Sequence, residues 1–454
     1  MIKRLKKFLS RSTPPDTLLL DEPHVVTVQD HAVNPRHISS GCRKVVEQLD
    51  SAGYAAYAVG GCVRDLLLGL EPKDFDVATD ATPEEVCEVF RRARVIGRRF
   101  QIVHVRMGRE IIEVTTFRGH HNGHDSDDSH QSEEGLLLRD NRFGTISEDA
   151  HRRDFTVNAL YYHPQDGTIF DFSTGLQDIE ARQLRIIGHP ETRYREDPVR
   201  MLRAARLAAK LDFTIEPGTE APIGELAYLL GDIPPGRLFD ETLKLFLNGH
   251  ALASYRELRR LGLFKTLFPD TDRLLDAGEE SDWNHRFVEQ ALHNTDERLR
   301  NNLRVTPAFL LAALLWPPLV KRLEQLTADQ GRNDAMVRQR AANDVINRTL
   351  QQIAIPRRFS TPMREIWDMQ ERLPRRHGTR ADRLMEHPRF RAAYDFVLLR
   401  ESAGEELDGL GVWWTRYQDA DPQQRRDLVA QLDGSGKSPR RNRRPRRRKA
   451  PQQA

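Results

Sequence analysis

A strand-like run, Tyr54 to Val59, and a helix-like run, Val63 to Leu68, are separated by Gly60-Gly61, and Lys73-Asp74-Phe75-Asp76-Val77 follows shortly after. Paired glycines allow a tight turn that other residues enter only at a cost. Gly69 closes the helix, and Phe75 to Ala78 reads as a second strand. Strand, turn, helix and strand in such short order fit a sheet with a helix packed on it, which excludes an all-helical chain. Neighbouring signals extend the sheet region. Cys42 to Leu49 is helix-like and stops before Gly53. Thr82-Pro83-Glu84-Glu85 carries a capping box with proline at the first helical position, so a helix is expected from Pro83 to Arg92. Gln101 to Met107 and Glu110 to Phe117 meet at Gly108-Arg109 as a hairpin.

Past Arg195 the pattern turns helical, with breaks near Pro217, Pro234-Pro235, Pro269, Pro317-Pro318 and Pro356. Phe309 to Trp316, closed by two prolines, reads as a buried helix and is too short to span a membrane. The expected class is α+β. An irregular leader (1–38) precedes a head with a small mixed sheet and helices (39–187). A helical neck (188–262), a helical body (263–433) and a disordered basic tail (434–454) follow. His120 to Gly135 is a polar loop.

Net charge is only +3, yet the last eighteen residues hold nine Lys and Arg and no acid, leaving −6 for the remainder. A concentrated cationic arm on an acidic body suits a polyanion such as RNA or DNA. Cys42, Cys62 and Cys87 form no CxxC or zinc spacing, as expected for a reducing, cytoplasmic setting. The basic start, MIKRLKKFLSRS, lacks the apolar core of a secretory signal. It leaves weak association with a membrane surface open, without stable insertion.

The chemistry is carried first by Asp74 and Asp76. Alternate residues of a strand share a face, so both carboxylates are expected to point the same way. Two carboxylates so placed suit Mg²⁺ or Mn²⁺, which bind through one or two carboxylates plus substrate phosphates. Gly60 and Gly61 let backbone N–H groups approach a triphosphate ahead of a helix N-terminus, with Arg64 as a further phosphate contact.

This combination resembles the polymerase-beta-like nucleotidyltransferase superfamily. The string GGCVRDLLLGLEPKDFDVATDATPEEV is similar to its class II branch, the tRNA CCA-adding enzymes and bacterial poly(A) polymerases. Arg152 to Leu160 (RRDFTVNAL) resembles the segment that contacts ribose and triphosphate there, which implies nucleotide binding by Arg153 and Asn158. Glu196-Asp197-Pro198-Val199-Arg200 matches an element whose Asp and Arg read the base, here Asp197 and Arg200. Glu113 resembles an acidic metal ligand on a neighbouring strand, and Asp154 is the other candidate for a third catalytic carboxylate. Arg200, Arg203, Arg206 and Lys210 recur at helical spacing, so Arg203 and Arg206 are expected to line the RNA route.

The stretch Gly97-Arg98-Arg99-Phe100, the run Phe117 to His121 and the cationic tail (Arg443, Arg444, Arg446, Arg447 and Arg448) resemble the poly(A) polymerases rather than the CCA-adding enzymes. The resemblance implies Mg²⁺-dependent addition of AMP from ATP to RNA 3′ ends, with RNA-degradation proteins as further partners. CCA addition is the nearest alternative. A non-catalytic RNA-binding protein is the alternative of another class.

Overall fold

The computed structural model describes residues 19–97, 101–119, 129–131, 137–140, 143–279 and 282–434. The basic leader before residue 19, the Arg98-Arg99-Phe100 segment, most of the polar loop and the tail arginines Arg443 to Arg448 lie outside them. The described residues form two compact units, one of those up to Pro269 with Gln352–Ala354 and the other of those in Asp270–Gln351 and from Ile355 onward.

The first unit is built on an eight-stranded mixed sheet. Across it run His24–Val26, Thr168–Asp171, Leu160–His163, Ala56–Val59, Asp76–Thr79, Glu110–Thr116, Ile102–Met107 and Ala93–Ile96. The pairing of Asp76–Thr79 with Glu110–Thr116 is parallel, while the other neighbouring pairs are antiparallel. One strand comes from the stretch read as an irregular leader: His24–Val26 pairs with Thr168–Asp171 at the sheet edge. Three residues show no period a local reading can detect, so only the partner strand reveals them.

The expected hairpin forms as Ile102–Met107 and Glu110–Thr116, with Gly108 at φ +67° in its turn. Thr82 and Glu85 complete the capping box reciprocally, and the helix runs Pro83–Val89. Helix Ser40–Ser51 buries Cys42, Val45, Val46 and Leu49 at i, i+3, i+4 and i+7, the spacing of a single face. Val59, Ala78, Phe117, Ala150, Tyr161 and Phe172 pack together in a cluster of the sheet.

Helices follow the sheet in the same unit. Val199–Leu211 buries Val199, Met201, Leu202, Ala204, Ala205, Leu207, Ala208 and Leu211, leaving Arg200, Arg203, Arg206 and Lys210 only partly buried. It ends on Asp212 in the left-handed region at φ 55°.

The second unit is helical among its described residues. Pro307–Leu314 is the apolar helix expected near Phe309, and Leu310 to Leu314 are all buried. Pro317 and Pro318 open the next helix, Trp316–Gln330, because a missing N–H costs nothing in a first turn. Phe396 is ringed by Phe287, Phe309 and Trp316, and Trp367 donates its indole N–H to the Ala312 carbonyl at 3.0 Å. Among the described residues no helix is long and apolar enough to cross a membrane.

Candidate active site

The carboxylates meet across the parallel strand pair. Asp76 begins its strand and stands in register with Glu113, and Glu113 stands in register with His104, whose Nε2 lies 3.3 Å from the Glu113 carboxylate. Asp74 precedes the strand, which starts at Asp76, and from Asp74 to Val77 exposed or half-buried positions alternate with buried ones. Burial, the Glu113 charge and the Asp74 charge push the Asp76 carboxyl up from 3.8 to about 6, with Arg153 pulling the other way.

That strain is what a cation would relieve. Carboxylates crowded at a half-buried position, with no base bonded to Asp76 among the described residues, fit a divalent metal held by Asp74 and Asp76 with Glu113 alongside. Among the described residues no three His, Cys, Asp or Glu side chains form a ready-made cage.

Next to the carboxylates stands the glycine turn. Gly60 has φ +81° and ψ −134°, a region essentially reserved for glycine, and Gly61 starts helix Gly61–Leu67. A methyl group added at Gly60 would sit 3.5 Å from Arg153 Nη1, so this guanidinium faces the turn. Gly60→Ala is therefore expected to lower folding stability by about 1–3 kcal/mol through backbone strain, and to weaken triphosphate binding. Denaturant unfolding and ATP titration check both, and a variant as stable as wild type would refute the strain.

Several arginines of the unit lie close to one another. Burial and the charges of Arg118 and Arg193 lower Arg152 to about 10, with Glu196 offsetting in part. Burial and Arg200 lower Arg193 to about 10, and burial with Arg203 lowers Arg206. These guanidiniums repel one another, and Glu196 offsets part of the charge on Arg152 and Arg193. Arg153 is the exception. Burial opposes its charge, but Tyr161 and Asp149 hold it firmly protonated.

Other expected site residues are engaged internally. Arg64 is 4% exposed and turned inward: its Nε donates to Asp65 at 2.9 Å and its Nη1 to the Asn158 side-chain oxygen. Asn158 in turn donates to Asp154 at 3.1 Å. Asp154 also accepts from the Phe155 N–H at 2.8 Å and from Arg203 Nε at 2.8 Å. Lys210 closes the circuit on Asp65 at 3.1 Å. Asp154 thus sits in a positioning network, whereas Glu113 is the acid beside Asp76. Arg203 is ion-paired with Asp154 and keeps about a third of its side chain exposed. The buried Nε of Arg206 has no hydrogen-bond partner among the described residues.

The two residues expected to read the base are held firmly. Asp197 accepts from Arg237 Nη2 at 2.7 Å, and Arg200 Nη1 donates to the Arg193 carbonyl at 2.7 Å and to Glu196 at 2.9 Å. Arg193 ties this pair to the rest of the site, because its Nη2 donates to the carbonyls of Arg152 and Arg153 at 2.7 and 2.6 Å. The sequence reading missed Arg193. Its spacing from Glu196 and Arg200, three and then four residues along a helical stretch, is the signal that could have found it.

A mixed sheet that sets crowded carboxylates beside a glycine turn and an arginine cluster defines a nucleotidyltransferase. Residues 56–185 match the model described as "Poly A polymerase head domain", 212–275 "Probable RNA and SrmB- binding site of polymerase A", and 330–448 "Polymerase A arginine-rich C-terminus". Poly(A) polymerase I of Salmonella typhimurium (strain LT2) is 47% identical over 98% of this chain and 96% of its own length. The chain belongs to the poly(A) polymerase I family. Likeness to the CCA-adding enzyme of Levilactobacillus brevis, 38% identical, covers 49% of this chain and 54% of that protein. In overall fold the chain also resembles the Bacillus stearothermophilus CCA-adding enzyme solved with CTP, with TM-score 0.52 and 26% identity, covering 87% of this chain and 82% of that one.

Proposed function

We propose that this chain is a template-independent poly(A) polymerase, transferring AMP from ATP to RNA 3′-hydroxyl ends with release of pyrophosphate. The observation that carries this reading is that the Arg153 guanidinium faces Gly60 and its charge acts on Asp76, a half-buried carboxylate crowded by Glu113 and Asp74. A metal–triphosphate complex would relieve that crowding. Full-length likeness to poly(A) polymerase I, against half-length likeness to a CCA-adding enzyme, favours AMP addition over CCA addition.

In this reading the ATP phosphates lie over Gly60 and Gly61 and accept from Arg153. The adenine meets Asp197 and Arg200, whose fixed acceptor and donor stand in for a complementary base. Arg64, Asn158 and Asp154 hold the glycine helix and the base-reading helix in mutual register. Mg²⁺ or Mn²⁺, held by Asp74 and Asp76 with Glu113, would lower the pKa of the RNA 3′-hydroxyl and neutralise the departing pyrophosphate. Catalysis then rests on positioning and charge compensation.

Arg206 and the tail arginines Arg443, Arg444, Arg446, Arg447 and Arg448 are assigned to RNA. Phosphate contacts of this kind grip many 3′ ends without sequence preference and weaken with salt. The division into leader, head, neck, body and tail, a cytoplasmic location and association with RNA-degradation proteins belong to the same reading.

Offering ATP, CTP, GTP and UTP singly to a generic RNA tests it. Long tails with ATP alone, lost in Asp74→Ala, are the expected result. CMP addition confined to tRNA ends would establish the CCA-adding alternative. RNA binding without transfer, unaltered in Asp74→Ala, would mean a non-catalytic binder.

A further inference from the structure

Arg153 is held by two residues that take no part in the sequence motifs, Asp149 and Tyr161. Asp149, on helix Ile146–Arg152, is 6% exposed, and Tyr161, on strand Leu160–His163, is fully buried. One carboxylate oxygen of Asp149 accepts from Arg153 Nε at 3.1 Å, from Arg153 Nη2 at 3.0 Å and from the Tyr161 hydroxyl at 2.6 Å. The other accepts the Arg118 backbone N–H at 3.1 Å. The Tyr161 oxygen accepts a second hydrogen bond from Arg153 Nε at 3.0 Å. Nε and Nη2 of Arg153 are therefore both committed, and Nη1 is the nitrogen left to face Gly60.

The clamp itself has little freedom. Tyr57, Phe117 and Phe172 meet the Tyr161 ring edge-on at centroid distances of 6.3, 6.3 and 6.1 Å. Tyr161 also stands in register with Val59, the residue before Gly60, so the strand pairing that sets the glycine turn also sets the clamp. Such a bracket costs Asp149 and Tyr161, and in part Arg153, their water. A structural role alone would be served by apolar packing there, and it would give no reason to keep one guanidinium edge facing the turn.

We infer that Asp149 and Tyr161 are positioning residues that aim Arg153 Nη1 at the departing β- and γ-phosphates, so that pyrophosphate affinity is set by a clamp buried beneath the site. The inference rests on the nucleotidyl-transfer reading above and deepens it.

Tyr161→Phe removes one hydroxyl and keeps the ring. Its dissociation constant for pyrophosphate, measured by calorimetric titration, is expected to rise about tenfold, the usual worth of a hydrogen bond to a charged group. KM for ATP should rise in step, with kcat nearly unchanged. Asp149→Asn, which leaves Arg153 uncompensated, should raise both further. Tyr57→Phe, a change in the same aromatic cluster outside the clamp, should move neither. A purely structural role would instead lower Tm and kcat with pyrophosphate binding intact, and that outcome overturns the inference. Should either clamp variant fail to fold, the other carries the comparison. If wild type binds pyrophosphate yet transfers no AMP to RNA, the functional reading fails, while the titrations still decide the clamp.

Discussion

Asp76→Asn is expected to abolish AMP transfer, by a factor of about a thousand or more, and at the same time to make the metal-free protein more stable. Burial and the neighbouring Glu113 and Asp74 charges raise the folded-state carboxyl from 3.8 to about 6. At 1.36 kcal/mol per pKa unit, the ionised form carries a penalty of about 3 kcal/mol at neutral pH. The sign follows from proton linkage. Because the folded chain holds this proton more tightly than the unfolded chain, stability falls as pH rises from about 4 to about 6, and the full penalty applies above that. The asparagine variant should therefore show a higher Tm than wild type at pH 7.5 in chelator, and the gap should close towards pH 4. Adding Mg²⁺ should raise the wild-type Tm and leave the variant nearly unmoved. Equal Tm values in chelator at pH 7.5 would show that the carboxylates do not strain the fold.

The distinction between Asp76 and its partners also shows what the sequence could convey. The glycine turn, the capping box at Thr82 and the hairpin at Gly108 depend on residues a few positions apart, and local chemistry determines them. The third acid does not. Glu113 reaches Asp76 through a parallel pairing of strands separated by a helix and two other strands, and nothing within either segment encodes that register. A resemblance between motifs could nominate Glu113 and Asp154 together, but only the sheet places Glu113 at Asp76 and sends Asp154 to Arg203.

The basic stripe on helix Val199–Leu211 illustrates the same limit. Helical spacing shows correctly that Arg200, Arg203, Arg206 and Lys210 share a side of the helix. It does not show that the side faces Glu196, Asp154 and Asp65, carboxylates that consume three of the four charges. Sequence periodicity reports which residues travel together, and long-range packing decides whether they meet water, RNA or a buried acid. Arg206 is the one of the four whose buried Nε has no hydrogen-bond partner among the described residues.

Asp154→Ala should be among the most damaging single changes to stability in the first unit. The carboxylate is the junction of a circuit that starts and ends on helix Val199–Leu211, running from Lys210 through Asp65, Arg64, Asn158 and Asp154 to Arg203. Removing it leaves the Phe155 N–H, the Asn158 amide and the Arg203 guanidinium without their acceptor. Breaking a buried pair from one side costs about 3–5 kcal/mol, and the lower end applies because the Arg203 side chain keeps 34% of its surface in solvent. Burial alone would raise the Asp154 carboxyl, but Arg203 and Asn158 hold it well below the usual range. Its contribution is consequently present at all pH values above the unfolded carboxylate pKa and is lost only as pH falls through the depressed folded value. Denaturant curves for wild type and variant should stay about 3 kcal/mol apart from pH 8 down to pH 5, the opposite of the closing gap expected for Asp76. Because the same helix carries Arg200, the variant should also lose discrimination between ATP and CTP. A separation below about 0.5 kcal/mol would place Asp154 outside any cooperative network, since surface substitutions rarely cost more.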